Sequence, residues 1–506
     1  MGNVRSIAES GGVATVITIE CHITRGLPNV IIVGFANRAV DEAKERLRGA
    51  FHASKIDFPK QRVTINLAPA DIPKESSGFD LGIAVAVMRA AGVIPDKLPA
   101  KTMFVGELGL GGEVRPIRGM IGKLLAAKTK GFNTFYLPLE NVKQALLVPD
   151  ITVMPVASLG SLYQSLTKTI PITPLESGLG QKPDVEAAAL AIDMQDISGQ
   201  ARAKRVLEIA AAGGHNALLS GPPGTGKSML AKAMPGILPP MELSEVLEVT
   251  HLHSLASHNF DQIISERPFR SPHHGASETA IIGGGSSARP GEISLAHRGI
   301  LFLDEFPEYG RSTIEALRQP LEDKIITIAR AKLNAQYPAD FMLIATSNPC
   351  PCGFYGTHKP CVCPPHQIMA YQRKLSGPII DRIDLYTDVD NVQHDTLLKS
   401  NNTSESTKSV QKRVLAARKR QQKRYESPSK TNAQMSNRDI KKLANLETEA
   451  EELLNQAAEK LEISARAYMR LIKVARTIAD LGDNETITPA HISEAIQYRK
   501  STNVLS

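Results

Sequence analysis

Gly221-Pro222-Pro223-Gly224-Thr225-Gly226-Lys227-Ser228 is the stretch on which the reading of this chain turns. It fits the spacing G-x-x-x-x-G-K-[ST], with a short apolar run at 217–220 before it and a helix-forming run at 229–234 after it. Glycines at such spacing let backbone N–H groups wrap a polyphosphate, the lysine reaches the outer phosphate oxygens and the serine hydroxyl ligates Mg²⁺. Strand, phosphate loop and helix in that order predict an α/β core with a parallel sheet.

Working outward, Gly299-Ile300-Leu301-Phe302-Leu303-Asp304-Glu305 reads as a buried strand ending in two carboxylates, and it follows Lys227 by 77 residues. At that distance it takes the part of a Walker B segment, with Asp304 on Mg²⁺ and Glu305 polarising the attacking water. A third apolar strand, 341–348, ends on Asn348, where a sensor of the γ-phosphate would stand. Further on, Asp381-Arg382-Ile383-Asp384 sets an arginine between carboxylates. On its own Arg382 reads as half of an internal salt bridge; in a ring ATPase it is a candidate arginine finger for a neighbour's phosphate.

The chain has 506 residues, too many for one core, and its 42% hydrophobic and 22% charged content is that of an ordinary globular protein. Tryptophan is absent and aromatic residues make up 5%, which argues against an aromatic platform for stacking bases. No apolar run approaches the roughly 18 residues of a membrane span, and the N-terminal residues lack a signal-like core, so a cytoplasmic protein without membrane contact is expected. Strand-like runs at 14–20, 29–33 and 62–67 alternate with helical patterns at 38–53, 80–91 and 117–130. The domain expectation is an α/β unit over 1–168, a linker at 169–186, the nucleotide core at 187–395, a basic linker or helix at 396–431 and a small helical domain at 432–506.

The order of these motifs resembles an AAA+ ATPase, and several segments are more specific. Asp196-Ile197-Ser198-Gly199-Gln200-Ala201, Phe269-Arg270-Ser271-Pro272-His273-His274 and Arg289-Pro290-Gly291-Glu292-Ile293-Ser294-Leu295-Ala296-His297 are similar to the magnesium-chelatase-like AAA+ ATPases of the YifB/ComM family. The resemblance covers nearly the whole chain. It implies ATP and Mg²⁺ as cofactors, a homo-hexameric ring, and single-stranded or branched DNA as the partner of a branch-migration motor in recombination and natural transformation. It also implies that Ser464-Ala465-Arg466-Ala467 opens a sensor 2 helix in a C-terminal lid, with Arg466 on the phosphates. The motor subunit of a metal chelatase and a protein-remodelling ATPase are the competing functions.

The first block resembles the proteolytic domain of Lon, a ribosomal-S5-domain-2-like fold, through Gly106-Glu107-Leu108 and the run from Gly112-Glu113-Val114-Arg115-Pro116 to Lys123-Leu124. Aligned without gaps, the Lon lysine falls on Ile121 and its serine on Gly78. Both catalytic groups are missing, so the domain is expected to be inactive as a peptidase, with Ser76, Ser77 and Lys123 displaced by one to three residues.

Two features remain. Cys350, Cys352, Cys361 and Cys363 supply four thiolates within one loop, the donor set of a tetrahedral Zn²⁺ site, with His358 and His366 as substitutes. Residues 401–506 hold 19 Lys and Arg against 13 Asp and Glu, which is +6 of the chain's +7. Lys408, Lys412, Arg413, Arg418, Lys419, Arg420, Lys423 and Arg424 meet no acid between them. Such a run neutralises phosphates or forms a solvated helix face.

Overall fold

The computed structural model describes residues 3–10, 13–34, 38–70, 78–177, 192–257, 259–285, 288–329, 334–375, 377–391 and 405–499. Ser76 and Ser77 lie outside the described residues, as does much of the expected linker.

The N-terminal body is α/β. Its first sheet runs Val4–Ser10, Val13–Thr24, Arg62–Ala68, Asn29–Val33 in space. Alternation fixes the register: Ile19 faces Val4 on one side and Leu67 on the other, and all three are buried. Helix Asp80–Ala90 is buried from Leu81 to Met88, which explains why its sequence is apolar all round. A second sheet takes Thr102–Phe104, Thr134–Pro138 and Thr152–Val156 in parallel, and Leu175–Glu176 closes its edge antiparallel to Thr152 and Val153. The body therefore continues past Lys168, and residues 175 and 176, expected in the linker, pair with its sheet.

Ile121, in helix Met120–Thr129, is buried in the apolar core of the second sheet, and the Lys123 ammonium donates to the carbonyl of Arg118 at the start of that helix. The same helix docks on the nucleotide core. The backbone N–H of Gly122 donates to Nδ1 of His251 at 3.3 Å, and a Cβ at Gly122 would sit 2.3 Å from that ring. Glycine is needed there for close approach rather than for a special φ.

The nucleotide core is a five-stranded parallel sheet in the order Phe269–Arg270, Ile300–Leu303, Met342–Ser347, Ala217–Ser220, Leu385–Asp388. The phosphate-loop strand is thus separated from the Asp304-bearing strand by the strand that leads to Asn348. Both expected strands, 217–220 and the run ending at Leu303, are present and buried, as core strands of a parallel sheet must be.

Helices Thr407–Tyr425, Asn437–Leu443, Thr448–Lys460, Ala465–Leu481 and Pro489–Gln497 pack onto this core. Ser406 and Ser464 cap two of them by accepting from the N–H groups of Ser409 and Ala467. Between the two long helices lies a buried charge cluster. Asp480, fully buried, is paired with Arg424 at 2.8 Å and with Arg476 at 3.1 Å, and the side-chain amide of Asn432 donates to it at 2.8 Å. Removing the carboxylate takes the counter-charge from Arg424 and from the fully buried Arg476. Asp480→Ala is therefore expected to cost about 3–5 kcal/mol, read as a lowered denaturant midpoint with an unchanged slope.

No helix among the described residues is long and apolar enough to cross a membrane.

Candidate nucleotide site

The phosphate loop leaves Ser220 at the C-terminal end of its strand and enters helix Lys227–Ala233 through Gly226. Gly224 and Gly226 have φ of +82° and +88°, a left-handed backbone that side chains rarely adopt, and a Cβ on either would meet nothing within 4 Å. The open space over these two glycines is where phosphates fit. Thr225 closes the loop by donating to the carbonyl of Pro222 at 3.0 Å. Gln200 clamps it from outside, its amide donating to Thr225 O at 3.3 Å and to Asp390 O at 2.6 Å.

Lys227 donates to the carbonyls of Gly221 and Pro222 at 2.6 and 2.7 Å and to Oδ1 of Asn348 at 3.3 Å. Burial pulls its ammonium below the ordinary lysine range, and the carboxylates of Asp304 and Glu305 oppose that pull. A phosphate chain would take over from the two carbonyls as the lysine's partner. The Ser228 hydroxyl donates to Oδ2 of Asp304 at 2.9 Å, so the two oxygen donors read as Mg²⁺ ligands stand side by side.

One residue that sequence reading passes over organises both acids. Thr346, fully buried in the central strand, donates its hydroxyl to Oδ1 of Asp304 at 2.5 Å and accepts from the backbone N–H of Glu305 at 2.9 Å. Glu305 has φ of +52°, uncommon for a residue with a side chain, and the Thr346 hydroxyl helps to hold it there. The hint in the sequence is that the apolar strand Met342–Ser347 turns polar at Thr346.

Arg382 and Arg466 stand apart from this group. Leu385 pairs with Ala217 and Asp388 with Ser220, so Arg382, three residues before Leu385, lies at the end of the sheet opposite the phosphate loop. Its guanidinium pairs with Glu322 rather than with Asp381 or Asp384. Arg470 secures this corner by donating to the carbonyls of Asp381 and, at 3.4 Å, Ile383. Asp384 is joined to the His215 ring at 3.2 Å, and the other ring nitrogen meets Thr477 at 2.8 Å. Arg466 is exposed one helical turn before Arg470, hence on the same face at the Arg382 end. The expectation that it touches phosphates from the lid finds no contact with Lys227, Ser228 or Asp304 among the described residues.

The four cysteines converge. Their sulfurs all lie within 4.8 Å of one another, beside Asn348.

Residues 193–397 match the family model for magnesium chelatase, subunit ChlI; residues 19–141 match that for subunit ChlI of Mg-chelatase, and 404–499 that for its C-terminal region. The chain belongs to the magnesium-chelatase-like AAA+ ATPases. Within that family it is 40% identical over 509 residues to competence protein ComM of Haemophilus influenzae, covering 99% of this chain and 98% of ComM. It is 42% identical over 510 residues to YifB of Salmonella typhimurium, covering 99% and 97%. A partial similarity to Lon protease of Rhizobium meliloti, 26% over 203 residues, covers 38% of this chain and 24% of that protein. In this AAA+ family setting, a loop shaped for phosphates and an adjacent serine–aspartate pair fit ATP with Mg²⁺.

Proposed function

We propose that this chain is one subunit of an ATP-driven ring, a homo-hexamer, that moves on single-stranded or branched DNA as a branch-migration helicase in recombination and natural transformation. Lys227 binds the outer phosphates, Ser228 and Asp304 hold the metal ion, Glu305 polarises water and Asn348 senses the terminal phosphate. ATP and Mg²⁺ supply the phosphoryl group and the charge that balances it. Arg382 and Arg466 share an edge remote from their own phosphate loop, which suits service to the next subunit's nucleotide and makes the site complete only in a ring. The likeness to a competence protein along the whole chain supports the recombination part.

The observation that carries the nucleic-acid part is how helix Thr407–Tyr425 divides its charge. Its arginines turn inward: Arg413 pairs with Glu208 and Glu405, Arg418 donates to Ala211 O at 2.9 Å, Arg420 to Asp480 O at 2.7 Å, and Arg424 pairs with Asp480. Its lysines turn outward. Lys408, Lys412, Lys419 and Lys423 are exposed and have no hydrogen-bonded or ion-paired partner among the described residues. At 100° per residue they fall within an arc of about 60°, a stripe about 22 Å long, matching roughly six phosphates of one strand at 3.4 Å each.

Replacing all four lysines by alanine is expected to weaken DNA binding at least ~10-fold at moderate salt. It should also flatten the salt dependence by about 0.7 in log–log slope on single strands, or about 0.9 on duplex arms, for each phosphate no longer neutralised, with basal ATP turnover retained. Unchanged affinity would remove the stripe from the argument. The broader test is ATP turnover with and without single-stranded and four-way-junction DNA, against a Glu305→Gln blank. Stimulation by DNA that disappears at high salt is the expected result. The family models, which describe a magnesium chelatase subunit, favour a second reading in which the same motor drives a metal chelatase; remodelling of a protein is the remaining alternative. Turnover indifferent to every DNA but raised by such a partner would select it.

A further inference from the structure

The geometry points to a structural zinc ion in the loop at 350–363, held by Cys350, Cys352, Cys361 and Cys363 and acting as a brace on the phosphate loop. The sulfur of Cys350 lies 3.4 Å from that of Cys352 and 3.7 Å from that of Cys361, and Cys352 and Cys361 are 3.5 Å apart. With Zn–S bonds of about 2.3 Å the edge of a sulfur tetrahedron is about 3.8 Å, so these three sulfurs stand close to the spacing of ligands around one ion, and the sulfur of Cys363 lies within 4.8 Å of each of them. A disulfide needs about 2.0 Å and is not formed. A four-iron, four-sulfide cluster would spread its four cysteines over four irons and a two-iron, two-sulfide cluster would split them two and two, so neither gathers all four sulfurs around one point as they are gathered here, within 4.8 Å of one another.

The surroundings are those of thiolates. The backbone N–H of Tyr355 donates to the Cys350 sulfur at 3.3 Å and that of Cys352 to the Cys363 sulfur at 3.4 Å, the outer bonds that orient and stabilise charged sulfur ligands. Gly353 and Gly356, at φ of +84° and +75°, let the segment between the two C-x-C pairs turn back tightly enough to bring the pairs together. A closed set of four thiolates with no open position suits zinc in a structural role, a single iron being the other ion that four sulfurs take.

The same knuckle touches the nucleotide site twice. Asn348, whose side chain meets Lys227, is two residues before Cys350. Gly353 packs so closely on the phosphate loop that a Cβ there would come within 2.5 Å of Cδ of Pro223. Gln372 ties the segment down by donating to Pro349 O at 3.2 Å. Zinc thus fixes the position of Asn348 and the outer wall of the phosphate loop together. This coupling rests on the nucleotide-site assignment; the metal assignment does not.

The full chain, purified without chelators, is expected to contain about one zinc per chain by elemental analysis. Cys361→Ser and Cys363→Ser should each lower this at least ~10-fold. Removing the ion from the wild-type protein with a strong chelator should weaken equilibrium binding of a fluorescent ATP analogue by about tenfold, and zinc should restore it. The reversible arm keeps the test valid if the variants fold poorly. Zinc far below one per chain, or iron seen by its visible absorption, overturns the metal site. Zinc present, with nucleotide affinity unmoved by its removal, overturns the brace. Zinc content is read without ATP or DNA, so its failure is distinct from failure of the motor reading.

Discussion

Glu305→Gln is expected to reduce steady-state ATP turnover by about a thousandfold while leaving nucleotide affinity nearly unchanged. The substitution keeps the shape of the side chain and removes only its ability to polarise water. The backbone N–H of Glu305 still donates to Thr346, and Asp304 and Ser228 still face each other, so the binding half of the site is untouched. Phosphate release and equilibrium binding of an ATP analogue, measured on one preparation, separate the two effects. Turnover within a factor of a few of the parent would mean that another group activates the water.

Arg382→Ala is expected to have a comparable effect, about a thousandfold or more on turnover, for a different reason. Its guanidinium lies at the end of the sheet away from its own Lys227, so on the proposed ring the loss is felt in the next subunit. The altered chain should bind ATP normally. Mixing it with Glu305→Gln chains should restore part of the turnover, because a Glu305→Gln subunit lends its intact arginine to a neighbour with an intact glutamate. Activity that fails to return on mixing would place Arg382 within its own subunit's chemistry. Glu322→Ala provides the control: it removes the Glu322 carboxylate from Arg382 and should not reproduce the loss.

The phosphate loop, the paired acids and the parallel sheet are legible because each is written in adjacent residues. The spacing of Lys227 and Ser228 is local, and Ile300–Leu303 announces itself by being wholly apolar before two carboxylates. The contribution of Thr346 is not legible, since it depends on the strand order, which brings together residues 42 apart in the chain. The basic run illustrates the same limit. Composition leaves it open between a phosphate-binding surface and a solvated face, whereas the structure divides the two cation types, arginines to internal acids and carbonyls and lysines to the exterior. That division depends on Glu208 and Asp480, residues far away in sequence and close only after folding. Arg382 does form an internal salt bridge, as its setting between carboxylates suggests, but the partner, Glu322, is 60 residues away rather than beside it.

The buried carboxylate of Asp480 has a mechanical meaning as well as an energetic one. Arg424, which it holds, belongs to the lysine-bearing helix; Arg470, on the helix of Asp480 itself, grips the carbonyls of Asp381 and Ile383 beside Arg382. From the outer lysines to that arginine the path runs through bonded side chains and two helical rods, bypassing the surface turn at 426–431. Such a strut has little give. On the proposed motor, tension on a strand lying along the lysines would be delivered to the arginine without being absorbed by a slack joint, so that load on the cargo and the pace of the neighbour's chemistry would become one mechanical coordinate.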